Sequence, residues 1–304
     1  MNLKQAHYVK CIAECGSVTA AAKKLYVSQP SLSQMLRHLE KELGVDLFDR
    51  SIAPLQLTYA GEKYLHAAQI MLDAQEQLEN EIREIRHDHS GRLRLGISVS
   101  RGIQLLPRVV PKFMEKYPNV KLELVESGSD TLESMIQEGR IDLALAAVES
   151  TCASLSYELI EWETIGILAG KNSKIAQRLP DGTPVSFEDA ADDLFVSLRK
   201  GHGSRVVQDK LLRRSTCSPK ILLETDSLEI GKRIALTSGA CMILPNIYID
   251  GFVTHMKGSF FPLKDYDHQR HFYACYRKDA FVPQYMHSFI QIVIDALHPD
   301  RAAE

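Results

Sequence analysis

The feature that most constrains this chain is a pair of closely spaced helices near its start. Gly16 is a helix stop, and Ser17 can cap the short, alanine-rich helix that follows it. A tight connection then leads to Ser28, which can cap a longer helix that stops at Gly44. Pro30 falls in the first turn of this second helix, where a missing backbone N–H costs nothing. A short helix, a turn and a capped second helix predict a helix-turn-helix.

The second helix of this pair has one apolar face and one polar face. In a helix-turn-helix, the first turns of the second helix enter the major groove of double-stranded DNA and contact base edges. Glutamine suits adenine, serine suits several bases, and arginine suits guanine or a phosphate. An amphipathic helix of any helical domain shows the same spacing, so both interpretations stay open at this point. The residues predicted to contact DNA are Ser28, Gln29, Pro30, Ser31, Ser33, Gln34 and Arg37.

Charge and hydropathy exclude several classes of protein. The net charge of the 304 residues is -3, whereas residues 1–60 carry seven basic and five acidic side chains, so any contact with nucleic acid must be local. No apolar run reaches the roughly 20 residues of a membrane span, and the N-terminus lacks a signal-peptide pattern. The six cysteines form no Cys-x-x-Cys pair, which is typical of reduced thiols, although Cys11 and Cys15 can share a helix face. We expect a cytoplasmic protein with no membrane partner.

A heptad pattern occupies residues 60–90. Apolar residues alternate at spacings of four and three, as in the seam of a coiled coil. A helix of about 30 residues would be about 45 Å long, which is longer than a small domain needs. The pattern favours a linker helix that pairs two chains over a helix buried inside one domain, with a hinge at 87–91. The seam consists of Tyr64, Ala68, Met71, Gln75, Leu78, Ile82 and Ile85.

The rest of the chain alternates between strand and helix patterns. This order predicts an α/β architecture of two lobes with mainly parallel sheets. In the first lobe, strands are predicted at 93–99, 120–125 and 141–147, and helices at 103–117 and 131–138. The second lobe is predicted within 163–267, after which a strand at 272–276 and a helix at 285–297 return to the first.

Loops after the predicted strands carry hydroxyl groups, cations and glycines. Such loops bind ligands in open α/β sheets, because the helix N-termini there offer free backbone N–H groups. This chemistry suits a small molecule that bears a carboxylate, whereas Glu149 and Asp226 leave room for an amino group. The serines can equally be helix caps alone. The predicted ligand-binding residues are Ser98, Ser100, Arg101, Gly102, Ser129, Glu149, Arg199, Gly201, His202, Ser204 and Asp226.

Two other functions fit parts of the chain. Ser98 or Ser100 with His202 could act as nucleophile and base of a serine hydrolase. The sequence has no Gly-x-Ser-x-Gly elbow, no metal-spaced cluster and no phosphate-binding glycine loop, so no catalytic residue, metal or cofactor is expected. A solute-binding protein without a regulatory role would account for residues 92–300 but not for the first 60.

The first sixty residues resemble the LysR-type transcriptional regulators. The resemblance implies a winged helix-turn-helix in residues 1–59 with its wing at 45–57, and it adds Arg50 and Thr58 to the residues that contact DNA. The matching motif is AAAKKLYVSQPSLSQ from Ala20 to Gln34, continued by Leu39-Glu40, Leu43-Gly44, Leu47-Phe48, Arg50, Leu57-Thr58 and Ala60-Gly61. Gln34, His38, Ala53 and Pro54 stand where the family often has basic residues, so we expect DNA binding to depend less steeply on salt.

The resemblance also implies an organisation and a set of partners. The linker helix at 60–90 would form a homodimer, and pairs of dimers a homotetramer. Residues 91–304 would form an effector-binding domain like the periplasmic solute-binding proteins, with lobe I at 91–162 and 268–304 and lobe II at 163–267. Ser100, Ser129 and the stretch 199–204 match effector-contacting positions of the family. Such a regulator binds promoter DNA and a small-molecule effector, is more often an activator, and has RNA polymerase as a further candidate partner.

Overall fold

A computed structural model of the chain describes residues 2–85, 90–148, 151–200, 202–215, 217–249, 251–264, 266 and 270–298. The chain forms two compact units, the first of which contains the N-terminal helices and the second two β-sheets. No helix in these described ranges has the length and apolar character that crossing a membrane requires. The first unit contains α1 (Leu3–Cys15), α2 (Val18–Lys24), α3 (Gln29–Leu43), β1 (Phe48–Asp49), β2 (Gln56–Leu57) and α4 (Tyr59–Ile85).

Local capping defines the helices of the first unit. Ser17 accepts a hydrogen bond from the N–H of Ala20 at the start of α2, and Ser28 accepts one from the N–H of Ser31 at the start of α3. Helices α1 and α3 end at Gly16 and Gly44, whose positive φ angles favour glycine. The core between the helices consists of Ala6, Val9, Ile12, Ala21, Leu32, Leu36, Leu39, Leu47 and Phe48 with their neighbours.

A two-stranded hairpin follows α3, within the range predicted for the wing. Strands β1 and β2 are antiparallel, with Phe48 opposite Leu57. The carboxylate of Glu40 is buried beneath this hairpin and accepts a hydrogen bond from the N–H of Leu47 at 2.9 Å. The wing is thereby attached to α3.

Helix α4 covers most of the predicted linker. Two members of the predicted seam, Tyr64 and Ala68, are buried in the core of the first unit. Farther along the helix, Leu78 is 57% exposed and Ile82 is 42% exposed. The predicted seam therefore divides in two, because its first turns pack within their own chain and its later turns present an apolar surface. The predicted hinge residues 87–89 lie outside the described residues.

The second unit contains two five-stranded sheets flanked by helices. Its first part contains β3 (Gly91–Ile97), α5 (Val99–Lys116), β4 (Val120–Glu126), α6 (Ser129–Gln137), β5 (Leu143–Val148) and β6 (Leu155–Glu163). The second part contains β7 (Ile165–Ala169), α7 (Lys174–Arg178), β8 (Leu194–Leu198), α8 (Gly203–Arg214), β9 (Lys220–Thr225), α9 (Leu228–Ser238), β10 (Cys241–Pro245), α10 (Gly251–His255) and β11 (Ser259–Pro262). The chain then returns with β12 (Arg270–Arg277) and α11 (Gln284–Leu297).

The sheets are mixed, where the sequence predicted mainly parallel ones. The first has the order β4-β3-β5-β12-β6, and the second has the order β11-β7-β10-β8-β9. Strand β12 is antiparallel to both β5 and β6, while β7 is antiparallel to both β10 and β11. The chain leaves the first sheet at the carboxyl end of β6 and returns from that same end as β12, between β5 and β6, so β12 runs opposite to β6.

Three elements differ most from their sequence-based predictions. Helix α5 begins at Val99, before the predicted 103, because Ser98 already has the extended backbone of an N-cap. Strand β6 was missed, since its alternation shifts at an irregularity opposite Phe272 and Tyr273. Strand β8 was missed because its short apolar run does not distinguish a buried strand from a helix segment.

Candidate nucleic-acid interface and ligand cleft

Helix α3 presents a polar surface at its first turns. Leu32, Leu36 and Leu39 point into the core, which turns the opposite face of the helix outwards. On that face Ser33 is partly buried, while the other predicted contacts Gln29, Pro30, Ser31, Gln34 and Arg37 are exposed. The arrangement offers amide, hydroxyl and guanidinium groups along one exposed helix surface, as a major-groove reader requires.

Three other predicted DNA contacts have structural partners in the described chain. The Ser28 hydroxyl is 2.7 Å from the Ser31 hydroxyl and caps α3. Thr58 donates to the carbonyl of Asp46 at 2.7 Å and accepts from the N–H of Gly61, so it caps α4. Arg50 forms an ion pair with the buried carboxylate of Glu40. The Arg50 side chain is still 49% exposed, so it can hold the wing and face a phosphate at once.

A surface depression of ≈ 480 Å³ lies between the start of α1 and the first turns of α3. Its lining includes the side chains of Lys4 and Gln5 from α1 together with Ser31 and Met35 from α3. The Lys4 Nζ atom lies 5.6 Å from the centre of the Tyr8 ring. The start of α1 therefore contributes a cation to the same surface as α3, which the sequence analysis had not identified.

The two sheets of the second unit meet where the chain crosses between them. Strand β6 ends at Glu163 and β7 begins at Ile165, which lies opposite Pro245 at the end of β10. Strand β3 is parallel to β5, and β8 is parallel to β10, so the carboxyl ends of these strands lie on the crossing side. The N–H of Asn246 donates to the carbonyl of Thr164 at 2.8 Å and ties the crossing to β10. Carboxyl edges of this kind are where α/β proteins bind ligands.

The crossing side of the first sheet carries a buried ion pair. Arg101, in the first turn of α5, is 3% exposed and is paired with Glu163, which is equally buried. The Arg101 guanidinium lies 4.0 Å from the centre of the Phe272 ring and 5.6 Å from that of the Tyr248 ring. Tyr248 follows β10 of the second sheet. The sequence predicted a cation available to a ligand, whereas the structure gives one whose charge Glu163 compensates.

The other predicted ligand contacts of the first lobe lie around the same edge. Ser98 is the N-cap of α5, but its hydroxyl makes no capping hydrogen bond, and Ser100 in the first turn of α5 is partly buried. Gly102 is buried inside α5. Ser129 begins α6 and is partly buried. Glu149 lies outside the described residues.

The facing edge of the second lobe is formed by the loop before α8 and the end of β9. His202 is the N-cap of α8, and its side chain also makes no capping bond. Arg199 forms an ion pair of 2.8 Å with Asp226, and both side chains are largely exposed. Ser204 is buried, and Gly201 lies outside the described residues.

Arg205 anchors α8 to the sheet, a role that the sequence analysis did not assign. It donates to Asp209 at 2.8 Å, to Glu224 at 2.6 Å and to the carbonyl of Leu198 at 2.9 Å. The hydrogen bonds to Asp209 and Glu224 raise the pKa of Arg205 above its usual value. The spacing of Arg205 and Asp209 by four residues was the signal available in the sequence.

The buried thiols are poor candidates for redox chemistry. Burial, with the neighbouring Cys15, raises the pKa of Cys11 to about 11, and burial raises that of Cys275 to about 12. The reactive thiolate is therefore scarce at neutral pH. Among the residues that the structure describes, no cluster of three histidine, cysteine or acidic side chains is arranged to hold a metal ion.

Two family models together cover nearly the whole chain. Residues 3–62 match the bacterial regulatory helix-turn-helix protein, lysR family, and residues 86–298 match the LysR substrate binding domain. The chain is a LysR-type transcriptional regulator. The family and the fold class inferred from the sequence motif are thus confirmed, and its relatives are regulators rather than enzymes.

Relatives of this LysR-type regulator support the assignment. The chain is 32% identical over 247 residues to a probable RuBisCO transcriptional regulator of Synechocystis sp., covering 78% of this chain and 69% of that protein. It is 26% identical to the uncharacterized HTH-type transcriptional regulator YybE of Bacillus subtilis, covering 81% of this chain and 83% of that protein.

Solved structures share the fold of the LysR-type regulator along its length. A full-length OxyR variant from Pseudomonas aeruginosa matches with a TM-score of 0.73 and 22% identity, covering 98% of this chain and 95% of that one. Full-length CbnR in complex with its target DNA matches with a TM-score of 0.63 and 20% identity, covering 97% of this chain and 100% of that one. At these identities the likeness concerns the fold.

Proposed function

We propose that this regulator reads promoter DNA through the exposed face of α3 and responds to a small effector that bears a carboxylate. The effector would lie between the carboxyl edges of the two sheets. This proposal rests on the positions of two helix N-termini, those of α5 and α8. They lie on the two sheet edges that meet where the chain passes from β6 to β7.

The chemistry of these two helix starts suits an anion. Helix N-termini carry unsatisfied backbone N–H groups and a partial positive charge. Ser98 and His202 are the N-caps there, and neither side chain bonds to its own helix, unlike the capping serines Ser17 and Ser28. A carboxylate can accept from such groups, with Ser100 and Ser129 adding hydroxyls.

The two cations near the cleft have different expected roles. Arg101 is compensated by Glu163, so we expect it to shape the floor of the cleft without adding net charge. Arg199 forms only an exposed pair with Asp226, which a ligand can exchange at small cost. A ligand carboxylate on Arg199 would leave Asp226 for an amino group, so an amino acid-like effector fits this edge.

The proposed oligomeric state and cellular location are based on the family and on the exposed apolar residues of α4. The exposed Leu78 and Ile82 support a homodimer through α4, and pairs of dimers would give a homotetramer. We expect the protein to act in the cytoplasm, where promoter DNA and RNA polymerase are present. Activation is the regulatory sense we propose, with the effector favouring one arrangement of the protein over another.

The effector proposal is tested at α6. Small carboxylates, amines and neutral metabolites are first screened by the thermal shift of the full-length protein. Ser129→Trp should abolish the effect of a stabilising carboxylate on DNA affinity, while basal DNA affinity stays within about twofold. Ser134→Trp, on the exposed side of the same helix, is the matched control. A Ser129→Trp protein with the full effector response would place the ligand elsewhere, and stabilisation by amines alone would contradict the carboxylate.

The DNA proposal is tested at α3. Gln29→Ala and Ser33→Ala should each cost on the order of 1–3 kcal/mol of binding free energy on a specific duplex and relax base preference. Gln177→Ala, at an exposed glutamine of α7, is the control. Unchanged affinity and selectivity in both α3 variants would remove this helix from the interface.

A further inference from the structure

The turn between α2 and α3 contains a residue in a costly conformation. Tyr26 has a φ of 55°, in the left-handed region that favours glycine. Its N–H donates to the carbonyl of Lys23 at 3.2 Å, and the N–H of Val27 donates to the carbonyl of Ala22 at 3.0 Å. These two hydrogen bonds form a Schellman motif, and the position that Tyr26 occupies in this motif is usually a glycine.

The neighbouring helices show what this position normally holds. Helices α1 and α3 end at Gly16 and Gly44, with φ angles of 58° and 71°. A side chain is disfavoured there because its Cβ comes too close to a carbonyl oxygen. The end of α2 needs the same backbone conformation, yet it has a tyrosine.

No packing inside the described chain offsets this cost. The Tyr26 side chain is 96% exposed, so its ring buries almost no apolar area. A strained backbone at an exposed aromatic residue points to a role on a partner, since strain of this kind concentrates at functional positions.

The partner is identified by what surrounds Tyr26. The residue lies two positions before the N-cap Ser28, beside the exposed face that begins with Gln29, and Lys23 is exposed on its other side. In a helix-turn-helix the first helix of the pair, which here ends beside Tyr26, crosses the sugar-phosphate backbone, and tyrosine is among the side chains that donate to phosphate. We propose that the Tyr26 ring packs on a deoxyribose and that its hydroxyl donates to a backbone phosphate, an inference that rests on DNA binding by α3.

This contact has a signature that separates it from base reading and from ion pairing. Loss of a backbone contact weakens binding equally on specific and unrelated duplexes, whereas loss of a base contact relaxes selectivity. A neutral phenol releases no counterion, so its loss should leave the salt dependence of binding unchanged. Lys23→Ala, by contrast, should reduce the slope of log affinity against log salt by about 1 if Lys23 contacts phosphate.

The test uses the full-length protein with Tyr26→Gly, Tyr26→Phe and Gln29→Ala. The DNA probes are a duplex selected from a random library by the parent protein and a scrambled duplex of the same composition. Tyr26→Gly should raise the unfolding temperature, because it relieves strain, and yet weaken binding to both duplexes on the order of tenfold. Tyr26→Phe keeps the ring and should lose less. A rise in stability together with a loss of affinity excludes misfolding as the cause.

The outcomes separate this inference from the DNA proposal itself. If Gln29→Ala loses selectivity while Tyr26→Gly binds both duplexes like the parent, the Tyr26 contact is overturned and α3 remains the reader. If Tyr26→Gly weakens binding to the selected duplex alone, Tyr26 reads a base and the backbone contact is overturned. If neither variant changes affinity, both proposals fail together.

Discussion

The surfaces that we propose for DNA and for the effector differ in how many of their polar groups already have partners within the fold. On α3, apolar side chains supply the packing, and Gln29, Gln34 and Arg37 remain exposed. At the cleft, Arg101 is paired with Glu163, and Arg199 is paired with Asp226. The helix surface therefore needs no rearrangement to meet DNA, whereas a ligand in the proposed cleft must fit among existing ion pairs or exchange them.

The largest expected effect is at the buried pair of the cleft. Glu163→Ala would leave the guanidinium of Arg101 without its carboxylate in a buried site, and should destabilise the second unit by about 3–5 kcal/mol. Arg101→Met with Glu163→Leu removes both charges and should be milder than the single change. Chemical unfolding of the full-length variants measures the difference. A single change that costs no more than the double change would show that the pair is not compensating a buried charge.

This pair also shows where sequence reasoning stops. The periodicity of α3 was sufficient to divide inward from outward residues, because both faces lie on one local element. Nothing local to Arg101 reveals that Glu163, at the far end of β6, lies against it. The same holds for Arg50, whose motif position suggested DNA, while its pairing with buried Glu40 is set by how the wing folds back.

Helix α4 also divides into two parts, because its first turns pack within their own chain and its later turns are exposed. The exposed later turns provide the next prediction. Leu78→Asp places a charge on the exposed apolar part of α4 and should weaken self-association by about 2–4 kcal/mol. Gln77→Asp adds the same charge at the adjacent position and should leave assembly nearly unchanged. Sedimentation of both proteins measures the result. Equal oligomeric states in the two variants would mean that this surface does not pair chains.

Substitutions of the ion pair that attaches the wing to α3 should have an intermediate effect on stability. Arg50→Ala should cost about 1 kcal/mol of stability, because half of the Arg50 side chain is exposed and its removal opens the Glu40 carboxylate to water, whereas Arg101 and Glu163 are both buried. Glu40→Ala should cost more, about 1–3 kcal/mol, because it also leaves the buried N–H of Leu47 without an acceptor. Thermal unfolding ranks the two variants. The reverse order would contradict the anchoring role of Glu40.

The smallest effect on stability is expected at the exposed pair of Arg199 and Asp226. A variant of this pair is the most informative about the effector, because it changes the proposed site with little effect on folding. Arg199→Ala should change the free energy of unfolding by less than about 1 kcal/mol, because exposed ion pairs contribute little. If an effector carboxylate exchanges into this pair, the same variant should lose a large part of the effector response while basal DNA binding persists. Arg178→Ala, at an exposed arginine of α7, provides the control for loss of one surface cation. Effector titrations of DNA affinity in parent and variants separate the two roles. If Arg199→Ala keeps the full effector response, Arg199 does not bind the effector carboxylate. The serine hydroxyls and the helix N-termini would then be the remaining candidates for binding it.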